Sequence, residues 1–193
     1  MLRRILAVAL TTTALTAGPA RADTLIVPFW GVNFGGDSGK NLSDAFDAKR
    51  YNFGASFSFM GAGVFGLEAD FGYSPDFFGR TDLGGSSIFT GTGNLLLGIP
   101  FGGQGGFGIR PYALVGAGVM RASASFEQVE ENSATWGYGG GIAMFFGTHV
   151  GVRFDFRYFR TFDDVDILGI KVVEESPGKL DFTRTSLGLV FRF

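Results

Sequence analysis

The sequence has no cysteine, one histidine and no apolar run long enough to cross a membrane as a helix. Without cysteine there is no disulfide scaffold, no thiolate metal site and no thiol nucleophile. A helical span needs about 20 continuous apolar residues, and the apolar stretch near the start is broken by Thr11-Thr12-Thr13 and Gly18-Pro19. The lone histidine, His149, falls in a short turn with no partner, whereas general-base chemistry needs a base placed beside a nucleophile or an activated water. A basic stripe is also missing. The isoelectric point is near 5.4, which argues against nucleic acid as a partner.

What is present is unusual for a soluble core. Among 193 residues, 23 are Phe and 32 are Gly, and 16% of the chain is aromatic. A domain of this size has limited interior in which to hide so many rings. The head of the chain has three parts: a basic Met1-Leu2-Arg3-Arg4, a mostly apolar Ile5 to Leu15, and the small-residue site Ala20-Arg21-Ala22 before Asp23. That is the pattern of a secretory signal peptide, residues 1–22, followed by one domain, residues 23–193. Its removal takes away Arg3, Arg4 and Arg21 and moves the net charge from -2 to -5.

From residue 25 onward the chain falls into segments of alternating hydrophobicity separated by Gly, Asp, Ser and Pro clusters, which predict strands and turns. Between Arg50 and Met60, the residues Tyr51, Phe53, Ala55, Phe57 and Phe59 alternate with Arg50, Asn52, Gly54, Ser56 and Ser58. Between Phe65 and Ser74 the apolar set again separates from Glu68 and Asp70. Segments at 88–99 and 109–120 are less regular, with Leu96 and Leu114 out of pattern, whereas in 135–145 Trp136, Tyr138, Ile142 and Met144 oppose Gly137, Gly139, Gly141 and Ala143. In the seventh segment Val150, Val152, Phe154, Phe156 and Tyr158 oppose Arg153, Asp155 and Arg157, a separation that only a period of two produces. The last segment ends the chain with Leu187, Leu189, Phe191 and Phe193 on one face and Arg184 and Arg192 on the other. An aromatic strand with no polar tail predicts a closing strand, since free termini fray in water.

Nine strand charges, Arg50, Glu68, Asp70, Arg110, Arg153, Asp155, Arg157, Arg184 and Arg192, share the face opposite the aromatics. A lipid-facing Arg or Lys near the bilayer midplane costs roughly 2 to 4 kcal/mol, reason enough for that rule. Long connections (36–49, 75–86, 122–133 and 160–179) alternate with short ones (61–63 and 147–149), the arrangement of an outer-membrane barrel; the glycine-rich 100–107 is of intermediate length. With both ends on the short-turn side, Tyr51, Tyr73, Trp136, Tyr138 and Tyr158 form an aromatic belt at the long-loop rim, and Phe59, Phe65, Phe146, Phe191 and Phe193 line the other rim. The predicted fold is an all-β, eight-stranded, antiparallel up-and-down transmembrane barrel.

At this point the chain resembles the small outer-membrane barrels of the OmpX/OmpA-like type. The resemblance rests on the signal peptide, on Arg110-Pro111-Tyr112 followed by Gly116-Ala117-Gly118, and on the terminal Leu187-Gly188-Leu189-Val190-Phe191-Arg192-Phe193. It implies an outer-membrane location, outer-membrane lipid and lipopolysaccharide as surroundings, and barrel-insertion machinery that reads Leu187, Leu189, Phe191 and Phe193 during biogenesis. It implies place better than activity, because such barrels serve in adhesion, stress response and anchoring.

Three readings of function follow. An eight-stranded interior is just wide enough for side chains to fill it, so the nine inner charges predict a packed, paired network, and the work then falls to the acidic loops. In the fourth of these, Asp163, Asp164, Asp166, Ile167, Leu168 and Ile170 form a candidate surface for an extracellular protein or surface ligand, able to extend a hairpin and offer an edge strand. The same aspartates could hold a divalent cation through oxygen ligands, although a solvated acidic loop is the commoner case. Six positive charges against three negative ones would alternatively make a narrow anion-preferring pore. The third reading turns the faces over, as in a soluble lipocalin-like barrel around an apolar ligand. The literal G-x-G-x-x-G at 61–66 leads into an alternating strand and not a helix, so it predicts a hairpin turn and no nucleotide site. No catalytic, metal or cofactor site is expected.

Overall fold

A computed structural model of the chain describes residues 22–35, 50–75, 77, 86–102, 106–124, 129–162 and 179–193. Eight long strands account for nearly all of them: β1 (Ala22–Phe34), β2 (Tyr51–Gly61), β3 (Phe65–Pro75), β4 (Ser86–Gly98), β5 (Phe107–Ala124), β6 (Val129–Phe146), β7 (Val150–Thr161) and β8 (Asp181–Arg192). A two-residue strand, Phe101–Gly102, folds back on the start of β5. Each long strand runs antiparallel to the next, and β8 returns to pair with β1, so the sheet closes on itself. At the join, the Thr24 amide donates to the Phe193 carbonyl at 3.2 Å and the Phe193 amide donates back at 2.9 Å. Closure satisfies the backbone between strands and removes free edges, the condition for a sheet to sit in hydrocarbon.

Alternation sorts the faces. Phe53, Phe57 and Phe59 of β2, Leu95 and Leu97 of β4, and Phe154 and Phe156 of β7 are each 45–61% exposed on the outside. Glu68, Asp70, Arg153, Asp155, Arg157 and Arg184 are buried inside. That orientation overturns the soluble lipocalin-like reading, in which the apolar face would line the cavity. The turn at 61–63 is a tight hairpin with Ala62 and Gly63 at φ of 50° and 71°, closed by the Val64 amide on the Gly61 carbonyl at 3.0 Å. The G-x-G-x-x-G is therefore a turn.

Two expectations need correction. The stretch 122–133 is not a simple loop, because β5 and β6 pair continuously from Phe107↔Phe146 up to Ala124↔Val129. Residues 122–124 pair with 129–131 across the hairpin, and β6 runs beyond its other neighbour: β7 pairs with it only from Thr135 to Phe145. With the strands longer than expected, three charges among the described residues, Arg121, Arg160 and Asp181, lie on the outer face, all at the long-loop ends where the hydrocarbon stops.

The interior is also not polar throughout. Leu25 and Val27 of β1, Met60, Leu96, Tyr112, Leu114, Ala143, Phe145 and Val190 form a buried apolar cluster toward the short-turn end. Phe77, Ile88, Met120, Ala122, Phe159, Leu180 and Phe182 form another toward the long-loop end. Leu96 and Leu114, out of pattern as lipid-facing residues, are in pattern as parts of the first cluster. Phe77, from the connection after β3, turns inward and meets Phe182 edge-on at 4.9 Å between ring centres. Charge occupies the layer between the two.

Candidate functional site: the charged layer and the two rims

The central layer is built mainly by β3 and β7, which face each other across the ring of eight strands. Because an eight-stranded lumen is only about two side chains wide, an arginine on β7 reaches a carboxylate on β3. Arg153 Nη1 lies 2.5 Å from Glu68 Oε2. Arg157 Nη2 lies 2.8 Å from Glu68 Oε1, and its Nη1 lies 3.3 Å from Asp70 Oδ2. Asp155, between the two arginines on the same strand, is 2.7 Å from Arg153 Nη2 and 2.5 Å from Arg157 Nε. Arg184 of β8 joins through Asp70 Oδ1 at 2.6 Å, with its guanidinium between the rings of Phe29 and Phe159 at 4.6 and 5.0 Å.

Neutral groups complete the layer. The Tyr112 hydroxyl donates to Asp155 Oδ2 at 2.5 Å and accepts from Arg153 Nε at 2.7 Å. Asn94 Nδ2 donates to Glu68 Oε1 at 3.4 Å. Two glycines make room for these large groups: a Cβ at Gly141 would lie 2.4 Å from the Tyr112 hydroxyl, and one at Gly72 would lie 2.6 Å from Arg184 Nη1. One cavity among the charges, lined by Ser56, Asp70, Arg153, Asp155 and Arg157, measures about 10 Å³, comparable to one water position.

The nine expected inner charges are thus not one network. Six of them, three arginines and three acids, make the central layer. Arg110 lies below the lower apolar cluster, paired with Asp23 Oδ2 at 2.5 Å and 4.9 Å from the Phe145 ring. Arg192 also lies over that ring, at 4.7 Å, donating to the Thr148 carbonyl at 2.7 Å. Arg50 precedes β2 at the long-loop mouth, half-buried. The apolar clusters separate these three from the centre, and charge pairs form only over side-chain reach. Counting six positive against three negative residues overlooked Asp23, and the central layer itself is balanced.

Among the residues expected in the belt, Tyr138 and Tyr158 lie 5.5 Å apart, and Trp136 lies 6.0 and 6.4 Å from them. Tyr73 meets Phe53 at 5.5 Å. Tyr51 meets Trp30 at 5.4 Å; Trp30, half-exposed on β1, was the belt member that sequence reasoning left out, although its place in the alternation could have shown it. Tyr158 donates to Asp181 Oδ2 at 2.8 Å, so one end of the ring is polar and the other apolar, as an interfacial residue requires. At the opposite rim Phe59, Phe65, Phe146, Phe191 and Phe193 are 41–73% exposed. Leu187 and Leu189 are on the same outward face, each 58% exposed. His149 is exposed in its turn, Nδ1 2.6 Å from Thr148 Oγ1. Asp163, Asp164, Asp166, Ile167, Leu168 and Ile170, like residues 1–21 of the expected signal peptide, lie outside the described residues.

A closed antiparallel barrel with rings outside, paired charge inside and an aromatic belt at each rim is a membrane-spanning β-barrel. The chain belongs to the outer membrane protein beta-barrel domain family, whose model matches residues 7–193. In fold it is similar to Neisserial surface protein A, with a TM-score of 0.55 at 12% identity over 92% of this chain and 100% of that one. Similarity also extends to the N-terminal barrel domain of Pseudomonas aeruginosa OprF, with a TM-score of 0.49 at 12% identity over 88% and 97% of the two chains. Ail of Yersinia pestis, solved with the heparin analogue sucrose octasulfate, gives 0.47 at 11% identity over 89% and 98%. No curated protein matches the chain in sequence. Likeness at this identity is one of fold alone.

Proposed function

We propose that the protein is a non-enzymatic outer-membrane barrel with a structural or surface-interaction role, its working surface at the extracellular connections and its interior a plug. One observation carries this reading: the lumen is filled in three successive layers, apolar, charged and apolar, with a cavity of about 10 Å³ among the charges. A conducting path needs continuous width and a lining that lets an ion leave as readily as it enters. Here three arginines and three acids neutralise one another, which weighs against an anion-preferring pore.

The extracellular side offers a surface. The β5–β6 hairpin outruns β7, so the backbone of β6 from Val129 to Ser133 has no ladder on its β7 side among the described residues. An open edge above a rigid barrel is a place where an extended partner segment can add a strand. The fourth connection, residues 163–170, stays within the proposal as a second contact region, and lipopolysaccharide and outer-membrane lipid as the surroundings of the belts. The reading includes export with loss of residues 1–22, and Leu187, Leu189, Phe191 and Phe193 as the signal for insertion.

Planar-bilayer conductance of the folded protein tests the plug. Silence is the expected result once a shift in gel mobility between unboiled and boiled samples has established folding. Discrete steps that disappear on substitution of Arg153 or Arg157 would replace the plug with a pore.

A further inference from the structure

Seven of the eight strand-to-strand ladders run without interruption, from nine partner pairs in β2–β3 to 18 in β5–β6. The eighth, where β1 meets β8, has only eight pairs and a break in its middle: Ile26↔Phe191 is followed by Phe29↔Gly188, with Val27 and Pro28 skipped. The reason is covalent. Thr24 exchanges both backbone hydrogen bonds with Phe193, and successive residues of a strand point their N–H and C=O to opposite neighbours. The even-numbered residues of β1 therefore face β8. Pro28 is one of them, set against Leu189, and proline has no N–H to give. A carbonyl left without a donor in hydrocarbon is costly, which makes this an unexpected place for a proline in an otherwise continuous barrel.

The surroundings of the break are adapted to it. A Cβ at Gly188 would lie 2.9 Å from the Pro28 carbonyl oxygen and 2.6 Å from Val27 Cγ1, so only glycine lets β8 approach this closely. A small cavity in the charged layer lies directly behind, lined by Val27, Phe29, Ser186 and Gly188 on the seam side. On the outside Pro28 is exposed.

We propose that the β1–β8 seam is a built-in weak join, the ladder that forms last and parts first, and that Pro28 is the residue that makes it so. Before closure both β1 and β8 present open edges, and an open edge recruits other strands. Proline confined to an edge blunts it. Pro28 keeps β1 a poor partner for any strand until β8 arrives in register, and in the finished barrel it leaves the seam as the route by which β1 and β8 separate.

Unfolding rates in denaturant, measured on protein purified from membranes of cells expressing the whole chain, test this. The rate depends on the folded and transition states, so the effect of proline on the unfolded chain drops out. Because the chain has no native cysteine, a disulfide can be placed across one ladder at a time. Leu25→Cys with Arg192→Cys locks the seam; Ile109→Cys with Met144→Cys locks the β5–β6 ladder as a control. If the seam parts first, its lock should slow unfolding at least about tenfold, and the control lock should change it less than about threefold. Pro28→Ala restores a donor opposite Leu189 and should slow unfolding roughly fivefold without any cross-link. Equal slowing by the two locks, or a Pro28→Ala protein that unfolds as fast as the parent, would overturn the proposal.

Discussion

The middle of the lumen and its two ends solve the same packing problem with opposite chemistry. At the ends, apolar side chains from up to six strands fill the barrel, and each gains from leaving water whichever neighbour it meets. In the middle, six charged groups depend on particular partners, because a buried charge is tolerable only when paired and hydrogen-bonded. The difference teaches that the ends supply non-specific cohesion, while the middle fixes which strand faces which. Arg157 of β7 contacts acids on β3 and on its own strand, and a register slip of one residue in either strand would turn those groups toward lipid.

The largest loss is expected from Arg157→Ala. It would leave Glu68, Asp70 and Asp155 short of a cation, with an expected loss of about 3 to 5 kcal/mol, the cost of stripping one partner from buried ion pairs. Urea titration of the gel-mobility shift measures it; a loss under about 1 kcal/mol would show that the acids find other partners. Leu96→Ala, in the apolar cluster below, removes volume but strands no charge and should cost about 2 to 4 kcal/mol. The same variant should stay silent in a planar bilayer, because the charged layer still blocks the lumen. Conduction by Leu96→Ala would mean that the apolar ends, and not the charges, form the seal.

Smaller effects sharpen the contrast. Tyr112→Phe deletes the hydroxyl between Arg153 and Asp155 and keeps the ring against the guanidinium; about 1 to 3 kcal/mol is expected in the same titration. Asp23→Asn at the short-turn rim releases a pair whose carboxylate side chain is 23% exposed, and should cost no more than about 1 kcal/mol. That loss should shrink as salt rises, whereas the loss from Arg157→Ala should not, since buried pairs are screened much less. A salt-independent Asp23 effect would place the rim pair with the central layer.

The faces were legible because alternation is local. A strand puts successive side chains on opposite sides whatever it pairs with, so Phe53, Phe57 and Phe59 could be set against Ser56 and Ser58, and Val152 and Phe154 against Arg153 and Asp155, from the order of residues alone. The closing strand was legible for the same reason. Belt membership followed where a ring stood near the long-loop end of a clean alternation; Trp30, beside Tyr51, met the same condition and was left out. The 122–133 stretch was misjudged because its polar residues resemble a loop, although across a hairpin they satisfy one another's backbone as a strand does.

What the order of residues determined by itself, then, was the period, the sign of each face and the number of crossings, all properties of a strand in isolation. Tertiary structure decided which charge meets which. Glu68 and Arg153 are 85 positions apart and become neighbours only when the ring closes and sets β3 opposite β7. Closure also decided that Leu96 and Leu114 belong inside, that Phe77 folds in from its connection, and that Arg50, Arg110 and Arg192 stand apart from the central six. Each of these depends on the width and register of the closed barrel, which no single strand contains.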